Sequence, residues 1–329
     1  MHDLRSLSKT SELGVSPTKV LVSLGGNAIL KRGQKGTAEE QTANVANTAK
    51  HLAHLLGKGH RIAITHGNGP QVGNILLQNE IAKETLPPMP LDVCGAESQG
   101  MIGYMLQRAI RSELDSLGAK TPVTTLITQT LVALDDPAFK NPTKPVGPFY
   151  TSAEASQLQQ LRGWKMISDS GRGYRRVVPS PIPLDILEKE KIIRLFEDGT
   201  VVIGAGGGGV PVVRNKNGTL DGVEAVLDKD RTAALLAKIL AVDSLLILTD
   251  VEKVFINYSR TDQRALDKMT VKDCRKYLEE GQFPSGSMGP KIESAISFLS
   301  DSKDKTVRIA SLERAEDALE GSAGTTITN

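Results

Sequence analysis

The stretch VVIGAGGGGVPVV at positions 201–213 places four consecutive glycines directly after a run of β-branched residues. The run predicts a buried strand, and glycines behind a strand are typical of a loop that something approaches closely. Gly204, Gly206 and Gly209 also form a G-x-G-x-x-G pattern, and Asp228 follows about twenty residues later. Taken alone, this pattern would suggest a nicotinamide dinucleotide site.

The sequence after the glycines argues against that interpretation. In a dinucleotide site the third glycine belongs to a helix whose amino terminus faces the pyrophosphate. Here VPVVRNKNG (210–218) contains a proline, β-branched residues and an Asn-Gly pair, which predict a strand or hairpin. The P-loop string G-x-x-x-x-G-K-[ST] and the protein-kinase strings HRD and DFG do not occur. We therefore expect the glycines to expose backbone amides to an anion in another arrangement.

Two further glycine-rich loops follow predicted strands: KVLVSL (19–24) leads into LGGNA, and RIAIT (61–65) leads into HGNGP. Apolar periodicity predicts helices at 37–58, 70–84, 91–118, 184–197, 230–241, 270–280, 289–300 and 313–320, and further strands at 123–128, 200–204, 244–248 and 306–310. This alternation predicts an α/β fold, a three-layer αβα sandwich with an open, mainly parallel central sheet. We expect the three glycine loops to meet at the edge formed by the strand carboxyl ends.

The segment 138–183 differs in character, because it is rich in proline, glycine and cationic residues and lacks a long apolar period. We interpret it as a small protruding lid subdomain inserted into a single domain that spans 18–329. Residues 1–17 are interpreted as a disordered extension, with an organellar address as the minor alternative. Met101, Tyr104 and Met105 are expected to lie in the core of their helix.

Composition excludes several classes of function. Of 329 residues, 39% are hydrophobic and 4% aromatic, and the formal net charge is +2. This balance argues against nucleic acid or a membrane surface as partner, and no apolar run reaches membrane-spanning length. A cytoplasmic enzyme is the default expectation. Cys94 and Cys274 lack metal-site spacing and are expected to be buried, so we predict no direct metal site on protein ligands.

Three lysines occupy stiff local settings. Lys144 is flanked by prolines, Lys229 lies between Asp228 and Asp230, and Lys291 lies in a glycine-rich loop that enters a helix. Phosphoryl transfer between two anions requires that their repulsion be offset while they align, and aimed ammonium groups could achieve this without a general base. We expect Asp230 to cap the following helix and to orient the lysines.

Eight segments together resemble the carbamate kinases of the amino acid kinase superfamily: LGGNA, HGNGPQVGN, PTKPVGPFY, GRGYRRVVPSP, GGGGVPVV, GVEAVLDKD, LTDVEKVFINY and GSMGPKIE. The similarity runs from about Lys19 to the C-terminus, and the PTKPVGPFY and GRGYRRVVPSP pair is the part most particular to carbamate kinases. The resemblance implies the amino acid kinase fold with its lid, a homodimer, and reversible phosphoryl transfer between ATP and carbamate, giving ADP and carbamoyl phosphate with Mg²⁺. It also implies ATP synthesis from carbamoyl phosphate in arginine deiminase-type catabolism.

The resemblance also implies a role for individual positions. As catalytic residues, Lys144 would reach from the lid to carbamoyl phosphate, Lys229 would bridge the phosphates, Lys291 would contact the nucleotide phosphates, and Asp230 would hold the lysines. The substrate wall would comprise Gly25, Gly26, Asn27, Gly67, Asn68, Gly69, Gly206, Gly207 and Gly208. The nucleotide would contact Asp228, Lys229, Thr249, Asp250, Tyr258, Met288, Gly289 and Lys291, and Mg²⁺ would be carried by its phosphates.

Carbamate is so small that its site must exclude larger acids and water. The lid is therefore expected to close over the site, with Lys144, Arg172, Arg175 and Arg176 as its cationic residues. Other superfamily members that phosphorylate acetylglutamate, glutamate or a nucleoside monophosphate are the nearest alternative. A nicotinamide dehydrogenase and a non-catalytic nucleotide sensor are alternatives of a different class.

Overall fold

The computed structural model describes residues 17–168, 173–284, 286–300 and 304–329. Residues 1–16 of the expected extension lie outside these ranges, as does Arg172 of the expected lid. The strands are β1 (Lys19–Leu24), β2 (Arg61–His66), β3 (Val123–Thr125), β4 (Gln129–Leu131), β5 (Lys144–Tyr150), β6 (Lys165–Ser168), β7 (Tyr174–Val178), β8 (Asp185–Ile186), β9 (Val201–Ile203), β10 (Val210–Arg214), β11 (Leu220–Gly222), β12 (Ser244–Thr249), β13 (Val254–Ile256), β14 (Arg264–Leu266), β15 (Lys268–Thr270), β16 (Thr306–Ser311) and β17 (Thr325–Thr328). The α-helices are α1 (Ala38–Gly57), α2 (Gly69–Ala82), α3 (Leu91–Ser116), α4 (Ser152–Arg162), α5 (Lys189–Glu197), α6 (Lys229–Ile239), α7 (Val271–Glu279), α8 (Met288–Leu299) and α9 (Ala315–Glu320).

The large sheet contains eight described strands in the order β15-β17-β16-β12-β1-β2-β9-β3. Its six strands from β16 to β3 are parallel, so their carboxyl ends share one edge as predicted. The strands β17 and β15 at one side of the sheet were not predicted, and β17 runs antiparallel to β16. The sheet is thus mainly parallel, and its strand order reverses direction around the first strand, where ligands bind in open α/β folds.

Helices cover both faces of this sheet and make three layers. Alternation along β1 sends Val20, Val22 and Leu24 into a core with α1, α3 and α9. The opposite face, which includes Leu21, packs against α5, α6, α7 and α8. The same alternation places the buried Ser23 on the face next to α6, within hydrogen-bonding distance of residues at the start of that helix.

One predicted helix begins later than expected. The segment 184–197 opens with β8, which pairs antiparallel with β4, and α5 starts only at Lys189. The amides of Leu184 and Leu187 donate to Leu131 O and Gln129 O at 2.9 and 3.0 Å, so pairing with β4 holds this stretch extended. The predicted hairpin after the four glycines is present, because β10 pairs antiparallel with β11.

A separate antiparallel sheet, in the order β5-β7-β6, forms within the segment expected to be the lid. Its helix α4 has a complete capping box between Thr151 and Glu154, which explains where the helix begins. At the base of this sheet, Val146 and Val178 pack against Val72 and Leu91 of the main domain. We call residues 144–178, as far as they are described, the lid.

Helix α3 exposes apolar side chains that were expected to be buried. Met105 packs against the core, but Met101 and Tyr104 are 37% and 60% exposed, so the expectation that they lie in the core is wrong. They lie on a face of α3 that no described element covers. Cys94 and Cys274 are buried, as predicted. Among the described helices, none combines the length and apolar character needed to cross a bilayer.

Candidate active site

The three glycine loops lie side by side at the carboxyl edge of the large sheet, as predicted. Each loop extends the strand ladder through one glycine amide, with N···O distances of 2.8 Å from Gly25 to Leu248, 3.0 Å from Gly67 to Leu24, and 2.9 Å from Gly204 to Ile64. These bonds connect each loop to a neighbouring strand and fix its position at the carboxyl edge of the sheet. The backbones of the three loops therefore lie next to one another at this edge.

Close packing explains why four glycines follow β9. A Cβ would lie 2.4 Å from His66 Nε2 at Gly206, 2.2 Å from Asn68 Nδ2 at Gly207, 2.7 Å from Leu227 Cβ at Gly208 and 2.1 Å from Thr130 Oγ1 at Gly209. The φ angles of the last three positions are also positive, at +65°, +97° and +86°. At each position a different neighbouring residue leaves no room for a side chain. At the last three positions the positive φ angle also disfavours any residue other than glycine.

The amides of this loop are only partly available to a ligand. Gly208 N donates to Ala205 O at 3.0 Å, and Gly209 N donates to Gly206 O at 3.0 Å. The expectation that all four amides face the reacting groups is therefore wrong for Gly208 and Gly209, because a tight turn already uses them. Gly207 is the member of the loop that lines the adjacent cavity.

Buried polar side chains hold the loop rigid, and the sequence did not reveal them. Ala205 has a positive φ of 52°, a conformation that is costly for a residue with a side chain. Thr128 Oγ1 accepts from its amide and Thr65 Oγ1 donates to its carbonyl, both at 2.8 Å. Two more hydroxyls, those of Thr130 and Thr232, donate to Gly208 O at 2.9 and 3.1 Å.

The three lysines singled out from the sequence converge on two aspartates. Lys229 Nζ and Lys291 Nζ lie 2.6 and 3.0 Å from the two carboxylate oxygens of Asp230. Lys144 Nζ, which comes from the lid, lies 3.0 Å from Asp228 Oδ2. All five residues line one cavity of about 810 Å³ above the glycine loops.

The buried ion cluster has clear electrostatic consequences. Burial opposes ionisation of Asp230, but the charges of Lys229 and Lys291 outweigh it and hold the pKa of this carboxyl well below its usual range. Burial lowers the pKa of Lys229 from the ordinary lysine value, and the Asp230 charge counteracts this only in part. Ser23 Oγ accepts from Lys229 at 3.1 Å and donates to Asp230 at 3.3 Å, and so joins the pair.

Asp228, rather than Asp230, caps helix α6. Its Oδ1 accepts from the amides of Asp230 and Arg231 at 3.0 and 3.3 Å. The expected capping role of Asp230 is therefore wrong, because the helix begins one residue earlier than predicted, at Lys229. Asp230 is thereby free to face the lysines, and its side chain is 5% exposed.

The predicted substrate wall divides into two groups. Gly26, Gly67, Asn68, Gly69 and Gly207 line the cavity above the loops. The others pack behind it: Gly25 against Leu248 and the Asn27 side chain, Gly206 against His66, and Gly208 against Leu227. Burial lowers the pKa of His66 to about 4, so the ring is neutral near pH 7. Its Nδ1 lies 3.0 Å from Gly67 O.

A second cavity, of about 350 Å³, adjoins the first. Its lining includes the predicted nucleotide residues Thr249, Asp250, Tyr258, Met288 and Lys291. Lys291 borders both cavities, so its side chain lies where the two cavities meet. Gly289 is buried beneath, and its amide donates to Pro284 O at 2.9 Å.

The lid contributes cations to the site from one of its faces. Arg175 lines the first cavity together with Lys144. Its guanidinium carbon lies 5.2 Å from the ring centre of Phe149. The neighbouring Arg176 points to the other face, because successive residues of a strand alternate, and it borders the junction between lid and main domain.

Known proteins resemble this chain over nearly its whole length. Residues 18–311 match the amino acid kinase family. A carbamate kinase of Thermococcus kodakarensis is 50% identical over 312 residues, which cover 94% of this chain and 98% of that protein. The solved structure described as carbamate kinase from Giardia lamblia bound to AMP-PNP has a TM-score of 0.90 at 44% identity, covering 95% of this chain and 99% of that one.

The chain belongs to the carbamate kinases of the amino acid kinase family. As a member of the carbamate kinases it is a phosphotransferase. The UMP kinase from Bacillus anthracis, with a TM-score of 0.52 and 14% identity, shares the fold alone. The dehydrogenase alternative fails on structure, because Gly209 is followed by strand β10 and not by a helix.

Proposed function

We propose that this chain catalyses reversible phosphoryl transfer between ATP and carbamate, giving ADP and carbamoyl phosphate. One observation carries the proposal: Lys144, Lys229 and Lys291, which are far apart in sequence, converge over the glycine loops in a single cavity. A cavity of suitable size for a nucleotide adjoins it. The carbamate kinases to which the chain is about half identical support the identity of the acceptor.

The cationic cluster offsets repulsion between two anions. As a carbamate oxygen forms a bond to the terminal phosphorus of ATP, the bond from that phosphorus to the ADP oxygen breaks, and negative charge spreads over the transferred group. Lys229 and Lys291 would contact this group and the nucleotide phosphates, and Lys144 would contact the carbamoyl end. A hydrogen bond to a charged group contributes about 1.5–3 kcal/mol net, so three aimed lysines supply a large part of the rate enhancement.

Asp230 would act as a positioning residue. Its two oxygens already hold Lys229 and Lys291 at 2.6 and 3.0 Å, so the ammonium groups need little reorganisation when substrates bind. The backbone amides of Gly26, Gly67 and Gly207 would complete the wall around the phosphoryl group. A fixed wall of this kind favours the transition state, because it incurs no ordering cost during the reaction.

Mg²⁺ is proposed to enter with the nucleotide phosphates. Within the described ranges, no three His, Cys, Asp or Glu side chains are grouped so as to hold a metal ion. Mg²⁺ commonly binds through substrate phosphates and one or two carboxylates. Of the two described carboxylates that line the cavity, Asp228 has the more accessible side chain, 13% exposed against 5% for Asp230. When bound, the ion would neutralise charge on the phosphate oxygens.

We also propose that the lid closes over the acceptor, and that the four wider expectations hold: ATP synthesis as the working direction, arginine deiminase-type catabolism, a homodimer and a cytoplasmic location. Lid closure is supported by Lys144 and Arg175, which extend from the lid into the cavity. A carbamate-sized acceptor offers few contacts, so exclusion of water by the lid would matter for transfer. The wider expectations rest on the resemblance to carbamate kinases.

The function is tested by ATP formation from carbamoyl phosphate, ADP and Mg²⁺, with acetyl phosphate as the control donor. We expect rapid ATP formation with carbamoyl phosphate and little with acetyl phosphate. Nucleotide binding without turnover would support the sensor alternative and contradict the proposal. A clear preference for another phosphoryl donor would indicate a different acceptor within the family.

Lys144→Ala separates catalysis from nucleotide binding. Loss of the lid ammonium should lower turnover about 100-fold or more, whereas the Kd for ADP should change less than about threefold, because the second cavity contains no lid residue. Lys189→Ala, which removes a partly exposed ion pair with Asp185 outside both cavities, is the matched control. If Lys144→Ala weakened ADP binding alone, Lys144 would not have the catalytic role.

A further inference from the structure

Trp164 lies at the junction between lid and main domain. It is partly buried, and two guanidinium groups of the lid stack on its ring: the central carbon of Arg162 lies 4.9 Å from the ring centre and that of Arg176 lies 4.4 Å away. Both guanidinium groups are thus held in a defined orientation by cation–π contact. A cavity of about 270 Å³ opens beside the ring and is lined by both parts of the molecule.

Each of these arginines also forms an ion pair with the main domain. Arg162 contacts Glu80 of α2 through both terminal nitrogens, at 3.0 and 3.4 Å, so the pair is bidentate. Arg176 pairs with Glu224, in the segment just before Asp228. Partial burial opposes ionisation of Glu80, but hydrogen bonds from Lys83 and Arg162 outweigh it and hold its pKa below the usual range. Glu80 is therefore available as a charged partner near pH 7.

These contacts connect directly to Lys144. In the lid sheet Arg176 lies opposite Val146, two residues beyond Lys144 on β5, and Lys144 lies opposite Val178. From Glu224 the chain continues to Asp228, which holds the Lys144 ammonium group at 3.0 Å. Glu224 and Lys144 are therefore connected in two ways. One connection runs through Arg176 and the pairing of β7 with β5, and the other runs along the chain from Glu224 to Asp228 and its ion pair with Lys144.

We propose that Glu80 and Glu224 are positioning residues for Lys144, acting through Arg162, Arg176 and Trp164. The apolar contacts at the lid base fix where the lid joins the domain, and the two ion pairs fix its angle. Without them the lid would rock about its base, and the Lys144 ammonium group would sample positions away from the reacting phosphoryl group. This inference rests on the proposed function, in which Lys144 contacts the acceptor.

The test uses the double variant Glu80→Gln/Glu224→Gln in the full chain. Trp164 is the single tryptophan of the sequence, so acrylamide quenching of tryptophan fluorescence, excited at wavelengths that tyrosine does not absorb, reports on the lid junction alone. We expect stronger quenching and a turnover about tenfold lower in ATP formation from carbamoyl phosphate and ADP, with the Kd for ADP within about twofold of wild type. The conservative variant Glu80→Asp/Glu224→Asp, which keeps both charges, should recover most of the turnover.

Glu197→Gln is the matched control, because Glu197 pairs with Lys19 and Arg61 away from the lid. It should change neither quenching nor turnover. If the double Gln variant showed stronger quenching but wild-type turnover, or showed no change in quenching, the proposal would be wrong. A wild-type chain that forms no ATP would refute the proposed function instead, and the quenching comparison would still decide whether the ion pairs hold the lid.

Discussion

At Asp230 one carboxylate balances two ammonium groups inside the protein. Its side chain is 5% exposed, so neither Lys229 nor Lys291 could remain charged there at low cost without it. Ser23 adds a hydrogen bond to each member of the Lys229–Asp230 pair. The proposed chemistry requires Lys229 to be positive. Asp230 is the main acid that favours this state, and Asp228 contributes less.

Asp230→Asn should change the pH dependence of turnover. The pKa of Lys229 is already lowered by burial, so activity should fall as pH rises through that lowered pKa, below the usual lysine value of 10.5. Removal of the carboxylate charge lowers this pKa further, because the Asp230 charge had raised it. We expect turnover about 100-fold lower and an alkaline limb displaced to lower pH, measured as kcat between about pH 6 and 10.

Asp115→Asn, at an exposed pair with Arg111, is the control for this comparison and should leave the pH profile unchanged. An Asp230→Asn profile that merely scaled down, with its alkaline limb in place, would show that Asp230 does not set the Lys229 pKa.

At the scale of elements, the glycine loop after β9 shows how neighbouring segments define a local structure. Its four positions face side chains from β2 or the loop after it, from β4, and from the segment before α6. Threonine hydroxyls from β2, the β3–β4 connection, β4 and α6 then fix its carbonyl and amide groups. The loop is therefore held by tertiary contacts, and its conformation is not a property of the glycines alone.

Gly207→Ala should destabilise the protein and abolish most activity. A Cβ there would lie 2.2 Å from Asn68 Nδ2, and the φ of +65° is itself unfavourable for alanine. Gly218→Ala separates the two effects, because its φ is +88° but nothing lies within 4 Å of the added carbon. The control should cost about 1–2 kcal/mol, and Gly207→Ala at least about 3 kcal/mol more, in urea unfolding. Equal losses would mean that Asn68 yields without cost.

Sequence patterns predicted most elements, because strand and helix periodicity are local. The bounds of β1 agree with the prediction, and those of α1, α6, α7 and α8 differ from it by two residues or fewer. Contacts between distant residues were not predictable. Ser23 appeared to be one more residue of an apolar strand, and only the packing of α6 against β1 brings it to Asp230. Likewise, Asp230 was predicted as the cap, and only the observed first residue of α6 assigns this role to Asp228.

At the scale of the whole molecule, the meeting of the glycine loops was predicted, but the two separate cavities above and beside them were not. Parallel strands alone indicated that the glycine loops would meet. The two cavities, their shared border at Lys291 and the opposite orientations of Arg175 and Arg176 depend on how the lid and α8 pack. No single segment of sequence contains that information.

The exposed face of α3 supports a test of the proposed homodimer. Tyr104 is 60% exposed and Ile127 is 44% exposed, and both line an open groove beside β3, the last strand at one edge of the large sheet. Edge strands and apolar side chains of this kind are commonly covered by a partner. Tyr104→Glu should shift the molar mass from light scattering towards that of a monomer. Leu161→Glu, on the exposed lid helix, is the control.

If Tyr104→Glu left the mass unchanged while the wild type was dimeric, the interface would lie elsewhere on the surface.

The two carboxylate oxygens of Asp228 have different partners. One oxygen holds the start of α6 and the other holds Lys144. An arriving anion can therefore take the lysine from the second oxygen while the first keeps its two amide partners. In the proposed role of Lys144, exchange of the Asp228 carboxylate for substrate would leave the start of α6 undisturbed. Substrate binding and release could then repeat at every turnover without refolding any part of the active centre.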